Sequence, residues 1–349
     1  MSTRIRKCSR SAFVCLALCL MVLTGLIVRP APAAADDPVL MNGAFVVMSG
    51  DPFRVGGGGA GSPLPIPASP QAQWGMQRVR AGDALAMSNG GQGIVVAVVD
   101  TGVTLNHFYL QGHFTTARAN FVPGRAADDV SDVADGIVNN GVGHGTFIAG
   151  LIRMVAPNAL IMPVRVLNGD AVGTDTQVAA GIRFAADNGA HIINLSMGGA
   201  KDSKVLHDAI EYAARQHVVV VAAAGNQSLD NLLWPARYSK VISVVATDSD
   251  ERKAVFSNYG KESDVSAPGV NLYSTYSNGS WIWGTGTSFA AAMVSGEAAL
   301  VRAAYPDPDP NHIRDRIQHG TVNIKSLNVS PYADKMGKGR IDMYLALQP

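Results

Sequence analysis

Short, unbroken apolar runs recur along this chain with stretches of helical period between them, and that alternation limits the folds open to it. Val95–Val99 is one such run, and it ends at Asp100, Thr101 and Gly102. Others lie at Leu160–Val166, Ile192–Ser196, Val218–Ala224 and Val241–Ala246. A strand that is apolar on both faces has no solvent side, so helices must cover it above and below. Between the runs, Asp175–Asn188 places Val178, Ile182 and Ala185 on one helical face, and Lys204–Gln216 is a second helical stretch. Alternating strands and helices predict an α/β fold in three layers, a mostly parallel, doubly wound sheet with helices on both faces. No internal repeat or second globular composition interrupts it.

Gly284–Gly296 reads as a glycine-rich turn that runs into an alanine-rich helix, which continues to about Tyr305, just before Pro306. Ser288 falls in its first turn. Unpaired backbone N–H groups and the positive end of the helix dipole would there favour an oxyanion beside the hydroxyl. A lone serine at such a place more often only caps the helix. A nucleophile needs a base, and the base needs an orienting acid. Both lie upstream. Asp100 ends a buried strand, where open α/β sheets build their sites. His144 stands between Gly143 and Gly145 at the start of another helix. Their order along the chain, with these flanks, is far more specific than any one of the three.

The segments around Asp100, His144 and Ser288 resemble the three signature segments of the subtilisin-like serine proteases, the subtilases. Val218–Asn226 is similar to the segment that carries that family's oxyanion-hole asparagine. The resemblance runs from about Gln73 to about Leu345. It implies a triad of Asp100, His144 and Ser288, an oxyanion hole from the Asn226 amide and the Ser288 N–H, and endopeptidase chemistry through an acyl-enzyme without an organic cofactor. Ala292 stands where the family usually has proline, and alanine suits a helix at least as well.

The resemblance also implies two substrate edges, Asp170, Ala171, Val172 and Gly173 on one side and Ser196, Met197, Gly198 and Gly199 on the other. Such edges bind an extended peptide as an added strand, with little demand on its sequence. Ala223, Ala224, Gly225 and Leu233 are the further candidates for the pocket that takes the P1 side chain. Leu233 directly precedes Trp234-Pro235, where a cis bond is expected.

Residues 1–35 read as a signal peptide. Arg4, Arg6, Lys7 and Arg10 form a basic start, Ala12–Val28 is apolar, and Ala31–Ala35 offers small-residue cleavage sites. Without a twin-arginine pair, general secretion to an extracellular or periplasmic location is expected. Cys8, Cys15 and Cys19 are all the cysteines of the chain, so the exported part has no disulfide. A large core must supply its stability, and roughly 300 residues suffice for one. Five of the 28 basic residues and none of the 27 acidic ones lie in this segment. Cleavage therefore leaves 23 against 27, a net charge of −4, which speaks against nucleic acid as a partner.

Residues 36–72 are a lead-in rich in glycine and proline, with Gly56–Gly59 and Pro63, Pro65, Pro67 and Pro70. It is too short and irregular for the folded pro-domain that many subtilases carry; a short segment does that job, or the enzyme folds unaided. Residues 73–349 form the catalytic domain, expected as a monomer acting on protein or peptide substrates, with no membrane span once the signal is removed. The long connection at 105–142 contains Asp128, Asp129, Asp132, Asp135, Asn139 and Asn140. A solvated acidic loop is expected there, and a structural calcium is the alternative.

Two other functions fit parts of the sequence. One is a membrane-anchored processing protease that keeps residues 12–28. The other is an inactive peptide-binding relative, which would lack a triad or oxyanion residue, whereas all four are present. An acyl hydrolase of the α/β-hydrolase type is set aside, because Gly-x-Ser-x-Gly is missing around Ser288 and the triad order differs.

Overall fold

The structure, a computed structural model, describes residues 38–40, 67–307 and 309–349. Among these, nine strands form one sheet. Their order across it is Thr321–Val322, Arg340–Ile341, Val265–Pro268, Val241–Thr247, Val219–Ala223, Ile192–Leu195, Val95–Asp100, Leu160–Arg165 and Ala119–Asn120. All neighbours are parallel except the first pair. The five apolar runs of the sequence supply the middle of this sheet. Valine and isoleucine dominate them because branched side chains fit a pleated surface packed on both faces.

Alternate residues go to opposite layers. Val96, Val98, Ile161, Val219 and Val221 pack with the helices His144–Val155 and Thr287–Ala304. Ala97, Val99, Met162, Val164 and Val220 pack with Asp175–Asp187 and Lys204–Arg215. The fold is therefore the three-layer α/β architecture of the sequence reading. Thr174 and Gln177 close a capping box at the start of the Asp175–Asp187 helix. The serine-bearing helix Thr287–Ala304 is buried along nearly its whole length. Gly296 lets it press on the histidine-bearing helix, since a Cβ there would stand 2.6 Å from Val155.

Val95–Asp100 sits between Leu160–Arg165 and Ile192–Leu195. The chain leaves it toward one flank first and returns to the other, so the strand order reverses here. Connections diverge from such a point and open a crevice at the carboxyl ends of the strands. Asp100 is the last residue of the strand.

The acidic connection is solvated only in part, with Asp128 exposed. Asp132 is buried. Asp135 pairs with Arg165 at 2.6 Å and with Arg125 at 2.9 Å, and Asp129 pairs with Arg125 at 2.8 Å. The oxygens of Asp129 and Asp135 are thus taken up by guanidinium and backbone N–H groups. Among the described residues, no group of three or more His, Cys, Asp or Glu side chains suits a metal.

Of the lead-in, Pro38–Leu40 lies antiparallel on Val172–Thr174, and Pro70–Ala72 forms a 3-10 turn. The expected signal peptide and residues 12–28 lie outside the described residues. No described helix is long and apolar enough to cross a membrane.

Candidate active site

His144 and Asp100 meet in the crevice, with His144 Nδ1 2.7 Å from Asp100 Oδ1 and both side chains buried. An ionised carboxylate only accepts, so Nδ1 carries the proton and the neutral ring presents Nε2 as its acceptor. The same Oδ1 accepts from the Thr101 N–H at 2.7 Å. Two glycines make the approach possible. Gly102 turns the chain at a φ of +113°, and a Cβ on Gly145 would run into the Gly102 carbonyl oxygen.

Sequence reasoning missed the role of Asp132. Its Oδ1 accepts from the Thr101 hydroxyl at 3.1 Å and the Gly143 N–H at 2.8 Å. Its Oδ2 accepts from the Thr146 N–H at 3.1 Å and the Thr146 hydroxyl at 2.7 Å. Thr101 Oγ1 in turn accepts from the Gly145 N–H at 3.1 Å. One carboxylate thus ties the first turn of the histidine helix to the residue after Asp100. Burial pushes the Asp132 carboxyl up to about 6; the bonds from Gly143 and Thr146 oppose this, and the nearby Asp100 charge adds to it.

Ser288 lies in the first turn of Thr287–Ala304. Its hydroxyl donates to the Ser196 carbonyl at 3.1 Å, and the Ser196 hydroxyl donates to the Ser288 carbonyl at 2.9 Å. This exchange fixes the serine turn to the end of the Ile192–Leu195 strand. The next residue, Phe289, has its ring centroid 5.9 Å from that of His144 and 4.2 Å from that of Phe147. Asn226 follows the Val219–Ala223 strand. Its Oδ1 accepts from the Thr287 N–H at 3.0 Å and the Thr287 hydroxyl at 2.7 Å. The planar amide is thereby oriented, with Nδ2 3.6 Å from where Gly286 would carry a Cβ.

A family model for the Subtilase family matches residues 91–339. The chain belongs to the subtilase family. Such a protein is a hydrolase, a serine endopeptidase. It is 36% identical to subtilisin BL of Lederbergia lenta over 266 residues, 73% of this chain and 93% of that one. It is 37% identical to thermitase of Thermoactinomyces vulgaris over 286 residues, 79% and 96% of the two chains. It is 34% identical to subtilisin DY of Bacillus licheniformis over 288 residues, 79% and 98%.

The remaining candidate residues of this subtilase fall at or after the ends of the Leu160–Arg165, Ile192–Leu195 and Val219–Ala223 strands. Val172 and Gly173 belong to the edge strand Val172–Thr174, and Ala171 precedes it at a φ of +62°. The Asp170 carboxylate holds the neighbouring loop. It accepts from the N–H groups of Ile137, Val138 and Asn139 at 2.6, 2.7 and 2.6 Å, and these bonds hold its pKa below the ordinary range. On the other side Ser196, Met197 and Gly198 are buried, and Gly199 exchanges backbone bonds with Trp234 at 2.8 and 3.0 Å. The Leu233 N–H donates to the Ala224 carbonyl at 3.0 Å, and Ala223, Ala224, Gly225 and Leu233 are all buried. The Trp234-Pro235 bond is cis, as expected from the sequence.

Proposed function

We propose that this subtilase is a secreted endopeptidase that cuts peptide bonds by a triad of Asp100, His144 and Ser288. The observation that carries the reading is the 2.7 Å bond from His144 to Asp100 on a helix packed against the serine helix. Ser288 Oγ attacks the scissile carbonyl carbon, and its proton passes to His144 Nε2. Asp100 stabilises the imidazolium through the Nδ1–H. The Asn226 Nδ2 and the Ser288 N–H hold the oxyanion. Collapse expels the amine, which takes the proton from His144, and leaves an acyl-enzyme. Water then attacks the acyl carbonyl carbon and gives a proton to His144; collapse breaks the ester bond, releases the acid, and Ser288 Oγ takes that proton back from His144. Each step uses groups of the protein and water, so no organic cofactor is needed.

Substrate lies as an added strand on Val172–Thr174, with the Ser196–Gly199 segment on its other side. The antiparallel seat of Pro38–Leu40 on that edge supports this, since the backbone groups there accept a strand through main-chain bonds. Export is supported by the apolar and basic pattern of residues 1–35. The enzyme acts as a monomer on proteins and peptides.

A serine-reactive phosphonate followed by peptide mapping tests the reading. The label should fall on Ser288, and Ser288→Ala should lose the label and nearly all casein hydrolysis while staying folded. His144→Ala should cost a similar amount and the double variant little more, because triad members act as a unit. Equal hydrolysis by Ser288→Ala and the unaltered protein would end the proposal.

A further inference from the structure

We propose that Ile137 and Val138 are a wall of the substrate cleft that selects an apolar side chain at P2, the residue before the one whose carbonyl is attacked; this rests on the triad and edge just described. Ile137 is 94% exposed and Val138 74%. Adjacent branched apolar side chains rarely stand in water on a backbone this firmly fixed. Besides its three bonds to Asp170, the loop closes on itself through Asn139, whose Oδ1 accepts from the Gly136 N–H at 2.7 Å and whose Nδ2 donates to the Gly136 carbonyl at 3.2 Å. The Gly141 N–H donates to the Gly169 carbonyl at 2.9 Å. Glycine at 136 and 141 lets the loop lie directly on its support. A Cβ at 136 would collide with the Asp170 carboxylate, and one at 141 would stand 2.6 Å from the Ala171 Cβ.

The loop therefore rests against the start of the edge segment Ala171–Gly173, and its far end runs through Gly141 and Val142 into Gly143 and His144. It spans the ground between the edge and the imidazole. A strand added to Val172–Thr174 in the antiparallel sense of Pro38–Leu40 advances from Thr174 toward Val172 and so toward Ala171. The substrate residue that lies past the edge and just before the attacked one passes this loop. An apolar pair held in place before binding gains contact area without ordering cost, and a carboxylate or ammonium at P2 would lose water against it. Asp170 is thus a positioning residue for the wall.

A set of peptide anilides identical except at P2, carrying Leu, Val, Ser or Asp, reads this directly. The unaltered protein should show kcat/KM about 10-fold higher for Leu than for Ser, a difference of the size that a few buried methylenes give. In the Ile137→Ser/Val138→Ser double variant the Leu-to-Ser ratio should fall below about 2, and Asp170→Asn should lower it as well. Each ratio comes from one preparation, so the fraction of active enzyme cancels. No P2 preference in the unaltered protein, or a ratio unchanged in the double variant, overturns the wall. Ser288→Ala on the same peptides separates the two readings, because residual cleavage there would sink the triad and leave the P2 ratio to be judged by itself.

Discussion

The carboxylate of Asp132 accepts the hydroxyl proton of Thr146 at 2.7 Å, and both groups are buried. With its bonds to Gly143 and Thr101, it joins the start of the histidine helix to the end of the Asp100 strand. The distance between Asp100 and His144 thus depends on a third carboxylate that touches neither.

Asp132→Asn keeps the shape but turns an NH2 group toward backbone donors. Losing buried bonds to a carboxylate should cost about 1–3 kcal/mol of stability. Tilting the helix start should lower kcat more than it raises KM. A buried acid held at about 6, above its ordinary 3.8, keeps its proton more firmly in the fold. Its contribution to stability is therefore full below about 4 and is lost as pH rises through about 6, a slope that Asp132→Asn should flatten. Calorimetry and Michaelis kinetics check both parts; an Asn variant with unaltered melting, slope and kcat would refute the coupling.

Glu297 is fully buried in the serine helix, and neither carboxylate oxygen has a hydrogen-bond partner among the described residues. Burial drives its pKa well above the ordinary carboxylate range, Asp342 adds to the shift and Arg340 opposes it. The folded state therefore favours the protonated acid. Stability from this group is present below the unfolded pKa and is lost as pH rises toward the folded one. In a Ser288→Ala background, which removes self-digestion, Glu297→Gln should show a shallower fall of melting temperature above neutral pH. Parallel curves for the two proteins would show that Glu297 does not titrate in this way.

Gly145→Ala places a methyl group against the Gly102 carbonyl. The histidine helix must back away from the Asp100 turn, and misplacement of about 1 Å in a reacting group can cost about 10²-fold. A drop of that order in kcat is expected, with melting lowered only modestly. Wild-type kcat in the Ala variant would mean that the helix can slide without disturbing the pair.

Leu233 is buried beside Ala224 and the Gly199–Trp234 pair, and we propose that it fills part of the P1 pocket. Each methylene of pocket it occupies denies a substrate about 0.8 kcal/mol of burial. Ala, Val or Leu at P1 should be cleaved more efficiently than Phe, Tyr, Lys or Arg, and Leu233→Gly should admit Phe. Anilides varied at P1 decide it: faster cleavage after Phe than after Leu or Ala by the unaltered protein, with no change in Leu233→Gly, rules the pocket argument out.

The central strands were legible because burial on both faces leaves only apolar residues to choose from. Leu160–Arg165 and Val219–Ala223 fall within a residue of the runs seen in the sequence. Val265–Pro268, Leu272–Thr275 and Trp281–Gly284 were not, since they are short and carry Pro268, Ser274 and Thr275 in place of an unbroken run. The bonds made by the side chains of Asp132 and Asp170 were not legible for another reason. Their partners are hydroxyls and backbone N–H groups 11 to 33 residues away. A backbone donor in an irregular loop leaves no mark on residue type, so a carboxylate that serves it reads like any other acid in a polar stretch.

The seat of Pro38–Leu40 on Val172–Thr174 is made of main chain, and every protein has a main chain. Nothing in such a docking ladder separates prey from a neighbouring copy of the same molecule. Survival of a concentrated preparation then depends on whichever surface loop first loosens enough to lie flat. Loss should be second order in enzyme and should slow when that loop is stiffened, even if the global melting temperature does not move.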